Sequence, residues 1–247
     1  MSEERVLERV KAEQGQLVMP FYLVCDVSSS MSGDLVTLND GLKRLHRAIV
    51  TEPVVDDVAQ VCIMTFGSSA SVVLPLGQMS EQAVPVLSGG GGTQYGAAFR
   101  LLAQSIQQDS ANLKGKGYRV FRPCAFFLTD GEPNDRDWHQ TFSSTLTYDR
   151  QTGRGMKAHP IFVPFGFRHA RENVLKQLAY PPERGKWYHA KGANIEEALS
   201  GILHLIMQTV VASGRSAERG QPAVAQQPPE RESNIIQGDS EYDPDYL

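Results

Sequence analysis

The chain has few cysteines, little net charge and no long apolar run, and each of these absences excludes a class of protein. Its three cysteines, Cys25, Cys62 and Cys124, lie in apolar segments and form no Cys-x-x-Cys pair, which argues against a zinc site and favours buried thiols in a reducing compartment. The net charge of −4 argues against a general nucleic-acid-binding protein, because such proteins carry a basic excess. No apolar segment approaches the ~18 residues that cross a bilayer, and the charged N-terminus has no apolar signal-peptide core. We therefore expect a cytoplasmic protein.

The chain of 247 residues, 41% of them hydrophobic, is long enough for one sizeable core and a tail. We predict an N-terminal helical extension over residues 1–17, an α/β domain over 18–212 and a disordered acidic tail over 213–247. Hydrophobic periodicity stops in the tail, and residues 216–247 contain seven acidic and two basic residues. The tail is either a solubilising segment or a docking segment, and a docking tail could supply a carboxylate to a site on the domain.

Short apolar segments alternate with amphipathic segments along the domain, which is typical of a parallel sheet covered by helices on both faces. Residues 34–50 carry leucines at three- and four-residue intervals and predict a helix with one apolar stripe. Predicted strands near 58–66 and 70–75 flank a Gly-Ser-Ser hairpin turn. Other strands are predicted near 20–26, 119–129, 158–164 and 186–189, and other helices near 94–108, 134–147, 169–179 and 194–211. The predicted fold class is α/β, a doubly wound, mostly parallel six-stranded sheet with one antiparallel edge strand.

A carboxylate and two hydroxyls follow the first apolar strand at every second position. They belong to Asp26, Ser28 and Ser30, directly after the apolar residues 21–25. A turn of small residues can aim these side chains at one point, and oxygen-only ligands suit a hard divalent cation such as Mg²⁺. The alternative is that these residues only cap the helix that follows.

Two later segments supply further oxygen ligands. Residues 88–96 contain four consecutive glycines, which let the backbone pass close to a ligand, and Thr93 follows them. Residues 126–133 form a second apolar strand that ends in Asp130 and a turn. Ligands of open α/β sheets gather beyond the carboxyl ends of the strands, where the strand order reverses. If the strands that end in Asp26 and Asp130 are neighbours, the three loops meet in one crevice.

The sequence Asp-x-Ser-x-Ser, followed by a distant threonine and a more distant aspartate, resembles the metal-ion-dependent adhesion site of von Willebrand factor A (VWA) domains. The resemblance covers roughly residues 18–211 and implies a VWA fold with bound Mg²⁺, for which Mn²⁺ or Ca²⁺ are alternatives. The strings Cys-Asp-Val-Ser-x-Ser-Met, Gly-Gly-Thr-x-Tyr-Gly and Leu-Thr-Asp-Gly-Glu-Pro look most like stand-alone bacterial VWA proteins of tellurium-resistance and stress-response operons. The metal ligands that the resemblance implies are Asp26, Ser28, Ser30, Thr93 and Asp130.

The resemblance implies a protein-binding module without enzymatic activity. Hydroxyl ligands leave the cation under-neutralised, so an Asp or Glu of a partner protein can complete its coordination. The family suggests an operon-encoded kinase, a phosphatase or a tellurium-resistance-type protein as partner. A metal-dependent, phosphatase-like hydrolase and a structural scaffold with an unused site remain as alternatives. A hydrolase would need a second metal or a poised base, and only His139 lies near a motif.

Three charged residues near these motifs have simpler interpretations. Glu132 either supports the site or is a solvated residue ahead of Pro133. Arg168 and Arg171 are interpreted as part of a solvated basic face. The glycine run has no Gly-Lys-Ser/Thr ending, which excludes a P-loop for nucleotide phosphates.

Overall fold

The computed structural model describes residues 15–191, 194–229 and 234–244, so the predicted helix within residues 1–17 lies almost entirely outside the described residues. The strands are β1 (Leu17–Asp26), β2 (Ala59–Phe66), β3 (Ala70–Gly77), β4 (Arg119–Val120), β5 (Cys124–Thr129), β6 (Ile161–Phe167), β7 (Lys186–Ala190) and β8 (Ile235–Asp239). The helices are α1 (Leu35–Val50), α2 (Pro53–Val58), α3 (Tyr95–Gly115), α4 (Trp138–Leu146), α5 (Glu172–Leu178) and α6 (Ile195–Glu218). Short 3₁₀ turns lie at Ser29–Gly33 and Met79–Glu81.

The strand order reverses at β1. The strands lie in the order β3-β2-β1-β5-β6-β7-β8, so β1 has β2 on one side and β5 on the other. Strands β1, β2, β5, β6 and β7 are parallel, whereas β3 returns antiparallel to β2 through the predicted hairpin turn. The predicted α/β, doubly wound, mostly parallel sheet with an antiparallel edge strand is confirmed. The carboxyl ends of β1 and β5 are neighbours, as the site requires.

The described residues contain two more strands than the six that the sequence predicts. The predicted strand over 119–129 is interrupted, because Pro123 has no N–H group to continue a ladder, and its first part is the short β4 on β1. The prediction of disorder over 213–247 is wrong for two segments. Helix α6 continues to Glu218, and β8 pairs antiparallel with β7 at the sheet edge. A single five-residue edge strand is too short to show periodicity, so the tail's polar composition concealed it.

Two apolar layers hold the helices against the sheet. Phe21 and Leu23 of β1 point into the layer under α1 and α6, whereas Tyr22 and Val24 point into the layer under α3 and α4. Because β1 is buried on both faces, it appears in the sequence as a continuous apolar run. The three cysteines are buried free thiols, as predicted. Among the described residues, none of the helices is long and apolar enough to cross a membrane.

Candidate metal centre

The loop after β1 is organised by the carboxylate of Asp26. Asp26 is fully buried; its Oδ1 accepts the backbone N–H of Ser28 at 2.8 Å and its Oδ2 accepts the hydroxyl of Thr129 at 2.8 Å. The side chain therefore ties β1 to β5 and sets the turn that presents the serines. Within that turn, Oγ of Ser28 lies 3.1 Å from Oγ of Ser30.

The capping alternative does not describe these residues. Ser28 precedes the 3₁₀ turn and Asp34 precedes α1, and neither makes a side-chain capping hydrogen bond. The hydroxyl of Ser30 instead donates to Oδ1 of Asp130 at 2.8 Å. Asp130 is fully buried at the end of the β5 segment, so two of the predicted loops meet as expected.

The glycine loop is clamped onto the serine turn. The N–H of Gly91 donates to Oγ of Ser29 at 2.9 Å, and the carbonyl of Gly91 accepts the N–H of Ser29 at 3.0 Å. Gly91 has a φ of +86°, which L side chains rarely adopt. A Cβ on Gly89 would lie 2.3 Å from the carbonyl oxygen of Val27, so this position requires glycine for close approach. The glycines therefore allow a close approach to the β1 loop, and their predicted approach to a ligand stays a prediction.

Thr93 joins the site through its backbone. Its N–H donates to Oδ1 of Asn134 at 2.7 Å, and its carbonyl accepts the N–H of Asn134 at 2.9 Å. The side chain is buried, with 7% exposure. Asn134 therefore links the glycine loop to the loop after β5, and the third predicted segment reaches the same end of the sheet.

The sequence predicted a helix from residue 134, but α4 starts only at Trp138. Asn134 and Asp135 therefore lie in the loop before it. The Asp135 carboxylate instead accepts the N–H groups of Tyr95 at 2.9 Å and Gly96 at 2.6 Å. It satisfies the first turn of α3 from a different loop, where a helix N-terminus favours negative charge. Asp135 therefore caps α3, not the helix that the sequence predicted over 134–147.

Arg168 is a site residue that the sequence analysis missed. Its Nη1 lies 2.5 Å from Oδ2 of Asp34 and 3.1 Å from Oδ2 of Asp130, and it donates to the carbonyl of Ser30 at 2.8 Å. The interpretation of Arg168 as a solvated residue is therefore wrong. Its position depends on β6 lying beside β5. The residues around Arg168 in the sequence do not indicate this pairing.

Glu132 forms an exposed ion pair with Arg171, with 2.5 Å between Oε1 and Nε. Arg171 has a side chain that is 62% exposed, so the solvated interpretation holds for this pair. His139, the histidine nearest to a motif in sequence, stacks on Tyr242 of the tail, with 5.9 Å between ring centroids. The structure therefore offers no support for His139 as a general base at this site.

Burial dominates the electrostatics of the site. Desolvation raises the pKa of Asp26 to about 6, although the hydrogen bonds from Ser28 and Thr129 lower it. Desolvation also raises the pKa of Asp34, against the opposing effect of Arg168. Two carboxylates, Asp34 and Asp130, contact the guanidinium of Arg168, and the charge of Asp130 acts on Asp26. The excess of acid over base favours a bound cation.

The donor set is made of hydroxyls and carboxylates. Among the described residues, the His, Cys, Asp and Glu side chains form no group of three that could hold a metal ion. A cation at this position would therefore depend on the hydroxyls of Ser28, Ser30 and Thr93 as well as on carboxylate. These are oxygen ligands, the type that Mg²⁺ and Ca²⁺ prefer.

Comparisons with known proteins identify the fold. Residues 21–132 match the family model of the von Willebrand factor type A domain. No curated protein matches the chain significantly. The ArnB paralog VWA2 from Sulfolobus acidocaldarius is similar in structure, with a TM-score of 0.52 and 16% identity over 79% of this chain and 46% of that chain.

Two further solved structures are similar. Proximal thread matrix protein 1 of the mussel byssus, with a zinc-occupied MIDAS motif, has a TM-score of 0.53 and 15% identity over 80% of this chain and 49% of that chain. The pilus adhesin SpaC of Lactobacillus rhamnosus GG has a TM-score of 0.57 and 13% identity over 80% of this chain and 31% of that chain. The chain thus spans about half of the length of the first two of these three proteins and less than a third of SpaC. At such identities the likeness shows the VWA fold alone.

Proposed function

We propose that this VWA-fold domain binds a partner protein through a divalent cation held by Asp26, Ser28, Ser30, Thr93 and Asp130. One observation carries the proposal. Three oxygens from two loops form a continuous row, in which Oγ of Ser28 lies 3.1 Å from Oγ of Ser30 and the latter lies 2.8 Å from Oδ1 of Asp130.

The spacing of these oxygens, which is that of ordinary hydrogen bonds, is also compatible with a bound Mg²⁺. Ligands at 2.0–2.1 Å in an octahedron lie about 3.0 Å from their neighbours, which is close to both spacings in the row. Ca²⁺ takes six to eight oxygen ligands, and at the higher coordination numbers its ligands also crowd to about 3 Å from one another, so Ca²⁺ remains an alternative. Mn²⁺ accepts similar oxygen ligands and remains an alternative.

The low negative charge of the donor set supports a cation that binds a partner's carboxylate. Ser28, Ser30 and Thr93 would contribute neutral hydroxyls, and Asp26 already uses both oxygens to accept hydrogen bonds. When bound, the cation would supply a Lewis-acidic position that an outside carboxylate can complete. An exposed Asp or Glu of a partner has the right chemistry, and Ser30 is exposed at the mouth of the site.

Two similar structures add circumstantial support. One is a matrix protein whose MIDAS motif holds zinc, and another is a pilus adhesin. The strings around Asp26, Thr93 and Asp130 further suggest a cytoplasmic bacterial stress-response or tellurium-resistance-like system. An operon-encoded kinase or phosphatase is then the partner to test first.

The test is a pull-down from lysate of the native host with Mg²⁺ present and, separately, with EDTA. The baits are the wild-type chain, Ser30→Ala and the matched control Ser32→Ala, whose hydroxyl only donates to the carbonyl of Ser29. We expect a partner that Ser32→Ala retains and that both EDTA and Ser30→Ala remove. Identical partner lists under all conditions would contradict metal-dependent binding. Mg²⁺-dependent phosphate release that Ser30→Ala abolishes would favour the hydrolase alternative.

A further inference from the structure

The described part of the tail crosses the domain as an extended peptide. Strand β8 pairs with β7 in antiparallel register, from Ala190 opposite Ile235 to Lys186 opposite Asp239. Because the parallel strands present the candidate metal centre at their carboxyl ends, the tail runs away from that centre. Its acids pair elsewhere, Asp239 with Lys186 and Glu241 with Lys176. The hypothesis that the tail supplies a carboxylate to the metal centre is therefore not supported by Asp239 or Glu241.

Backbone recognition continues beyond the strand. The N–H of Glu241 donates to the carbonyl of Lys176 at 3.1 Å, and the carbonyl of Glu241 accepts Nε2 of Gln177 at 2.6 Å. The N–H of Asp243 donates to Oε1 of Gln177 at 2.8 Å. Gln177 is buried at 7% exposure, so both ends of a buried amide are satisfied by tail backbone.

Gly238 is selected by its size. It lies opposite Trp187 in the ladder, and a Cβ at this position would come within 2.4 Å of the Trp187 ring. Nε1 of Trp187 donates to the carbonyl of Asp239 at 2.9 Å, which holds the indole across the strand. Any side chain at position 238 would displace the indole or lift the strand from the edge.

Tyr242 occupies an aromatic pocket four residues further along. Its ring centroid lies 5.1 Å from that of Tyr180 and 6.1 Å from that of Phe142. Its hydroxyl lies 3.1 Å from Oγ of Ser143. The pocket thus takes both the apolar body and the polar end of a tyrosine.

We propose that the surface of β7, α5 and α4, called the tail groove, is a peptide-recognition site for an extended acidic segment with a glycine and, four residues later, a tyrosine. Residues 235–243 are its resident occupant, and the same segment of a second copy of this chain binds in its place when the groove is free. Strand addition supplies the affinity, and the Trp187 contact and the tyrosine pocket supply the specificity. Lys176 and Lys186 favour an acidic segment. This inference is independent of the proposed metal centre.

The test uses the full-length chain and a fluorescent peptide with the sequence of residues 234–247. In the wild-type chain the tethered tail competes at an effective concentration near the millimolar range, so the peptide should bind weakly. In the full-length Gly238→Val variant the resident tail fits poorly, and we expect the peptide to bind at least about 10-fold more tightly. EDTA should change neither result, which separates this test from that of the metal centre.

Peptide variants test whether the groove distinguishes sequence. Gly238→Val and Tyr242→Ala peptides should each lose about 10-fold or more in affinity for the Gly238→Val chain. The Ile236→Ala peptide is the matched control, because Ile236 is 40% exposed in the docked strand, and it should bind as the wild-type peptide does.

A second measurement covers the case in which Gly238→Val does not fold. A protease site replaces residues 230–233 of the otherwise wild-type chain, and exchange of the cleaved tail for labelled peptide is followed by fluorescence polarisation. Saturable exchange supports the proposal. A folded variant or a cleaved chain that takes up no peptide would show that the tail is a fixed part of the fold. Equal binding of the wild-type and Gly238→Val peptides would also overturn the proposal.

Discussion

Nη1 of Arg168 lies 3.1 Å from Oδ2 of Asp130, whose other oxygen accepts the hydroxyl of Ser30 at 2.8 Å. The guanidinium thus partly neutralises the carboxylate that the proposed cation would use. Arg168 is only partly exposed, with 23% of its side chain accessible, so solvent screens this charge incompletely. The positive charge of Arg168 thus lies directly beside the candidate metal centre.

Removal of this charge should strengthen cation binding. We expect Arg168→Ala to bind Mg²⁺ about 10-fold more tightly than wild type in calorimetry, because repulsion between two cations is removed. Arg168→Lys keeps the charge and is the matched control, with an affinity within about 3-fold of wild type. Weaker Mg²⁺ binding by Arg168→Ala would mean that the guanidinium organises the site more than it opposes the cation.

Thr93 is linked to the other loops of the site through its backbone, so the role of its hydroxyl as a ligand needs its own test. Thr93→Val keeps the shape and the backbone links to Asn134 but removes the hydroxyl. We expect it to weaken Mg²⁺ binding by at least about 10-fold, a loss of about 1.4 kcal/mol, and Thr93→Ser to restore most of the affinity. Titration calorimetry measures both. Unchanged affinity in Thr93→Val would remove Thr93 from the ligand set.

Close approach of the glycine loop should be sensitive to one methyl group. Gly89→Ala places Cβ 2.3 Å from the carbonyl oxygen of Val27, so the loop must shift, at a cost of about 1–3 kcal/mol in the free energy of unfolding. Gly33→Ala is the control, because a Cβ there meets nothing within 4 Å, and its effect should stay within about 0.5 kcal/mol. Urea unfolding compares the two variants. Equal stabilities would show that the loop adapts freely.

Acid sensitivity should arise partly at His159. Burial, with help from Arg122, lowers its pKa from 6.5 to about 4. The unfolded chain therefore binds the proton first, and the stability contributed by the neutral ring is complete above pH 6.5 and is lost as the pH falls towards 4. Between pH 7.5 and 4.5, wild type should lose about 2–3 kcal/mol more unfolding free energy than His159→Gln. Equal losses in urea titrations at the two pH values would contradict this assignment.

The candidate ligands could be predicted because their signals are local. Asp26, Ser28 and Ser30 share one turn after one apolar strand, and Asp130 repeats that pattern after another strand. The adjacency of β1 and β5, which the sequence analysis gave as a condition and the VWA resemblance implied, is confirmed. Their role as metal ligands stays a prediction that the experiments above address.

Other parts of the site depend on contacts between distant segments. Arg168 reaches Asp34 and Asp130 only because β6 lies next to β5, and Asp135 caps α3 from the loop after β5. A charged residue in a sequence shows its charge but not its partner. The solvated interpretation of Arg168 was therefore wrong, whereas the same interpretation of Arg171 with Glu132 was correct.

Apolar runs, helical stripes and turn residues were sufficient to predict the α/β class, the hairpin at 67–69 and the three loops of the site. These features depend on interactions between residues that are close in the chain, and the hydrophobic pattern records them directly. The tertiary structure decided which strand lies at each edge, where Arg168 points and where the tail docks. Strand β8 forms because β7 offers unpaired backbone groups and Trp187 accepts a glycine, and neither property is visible in the tail's own residues.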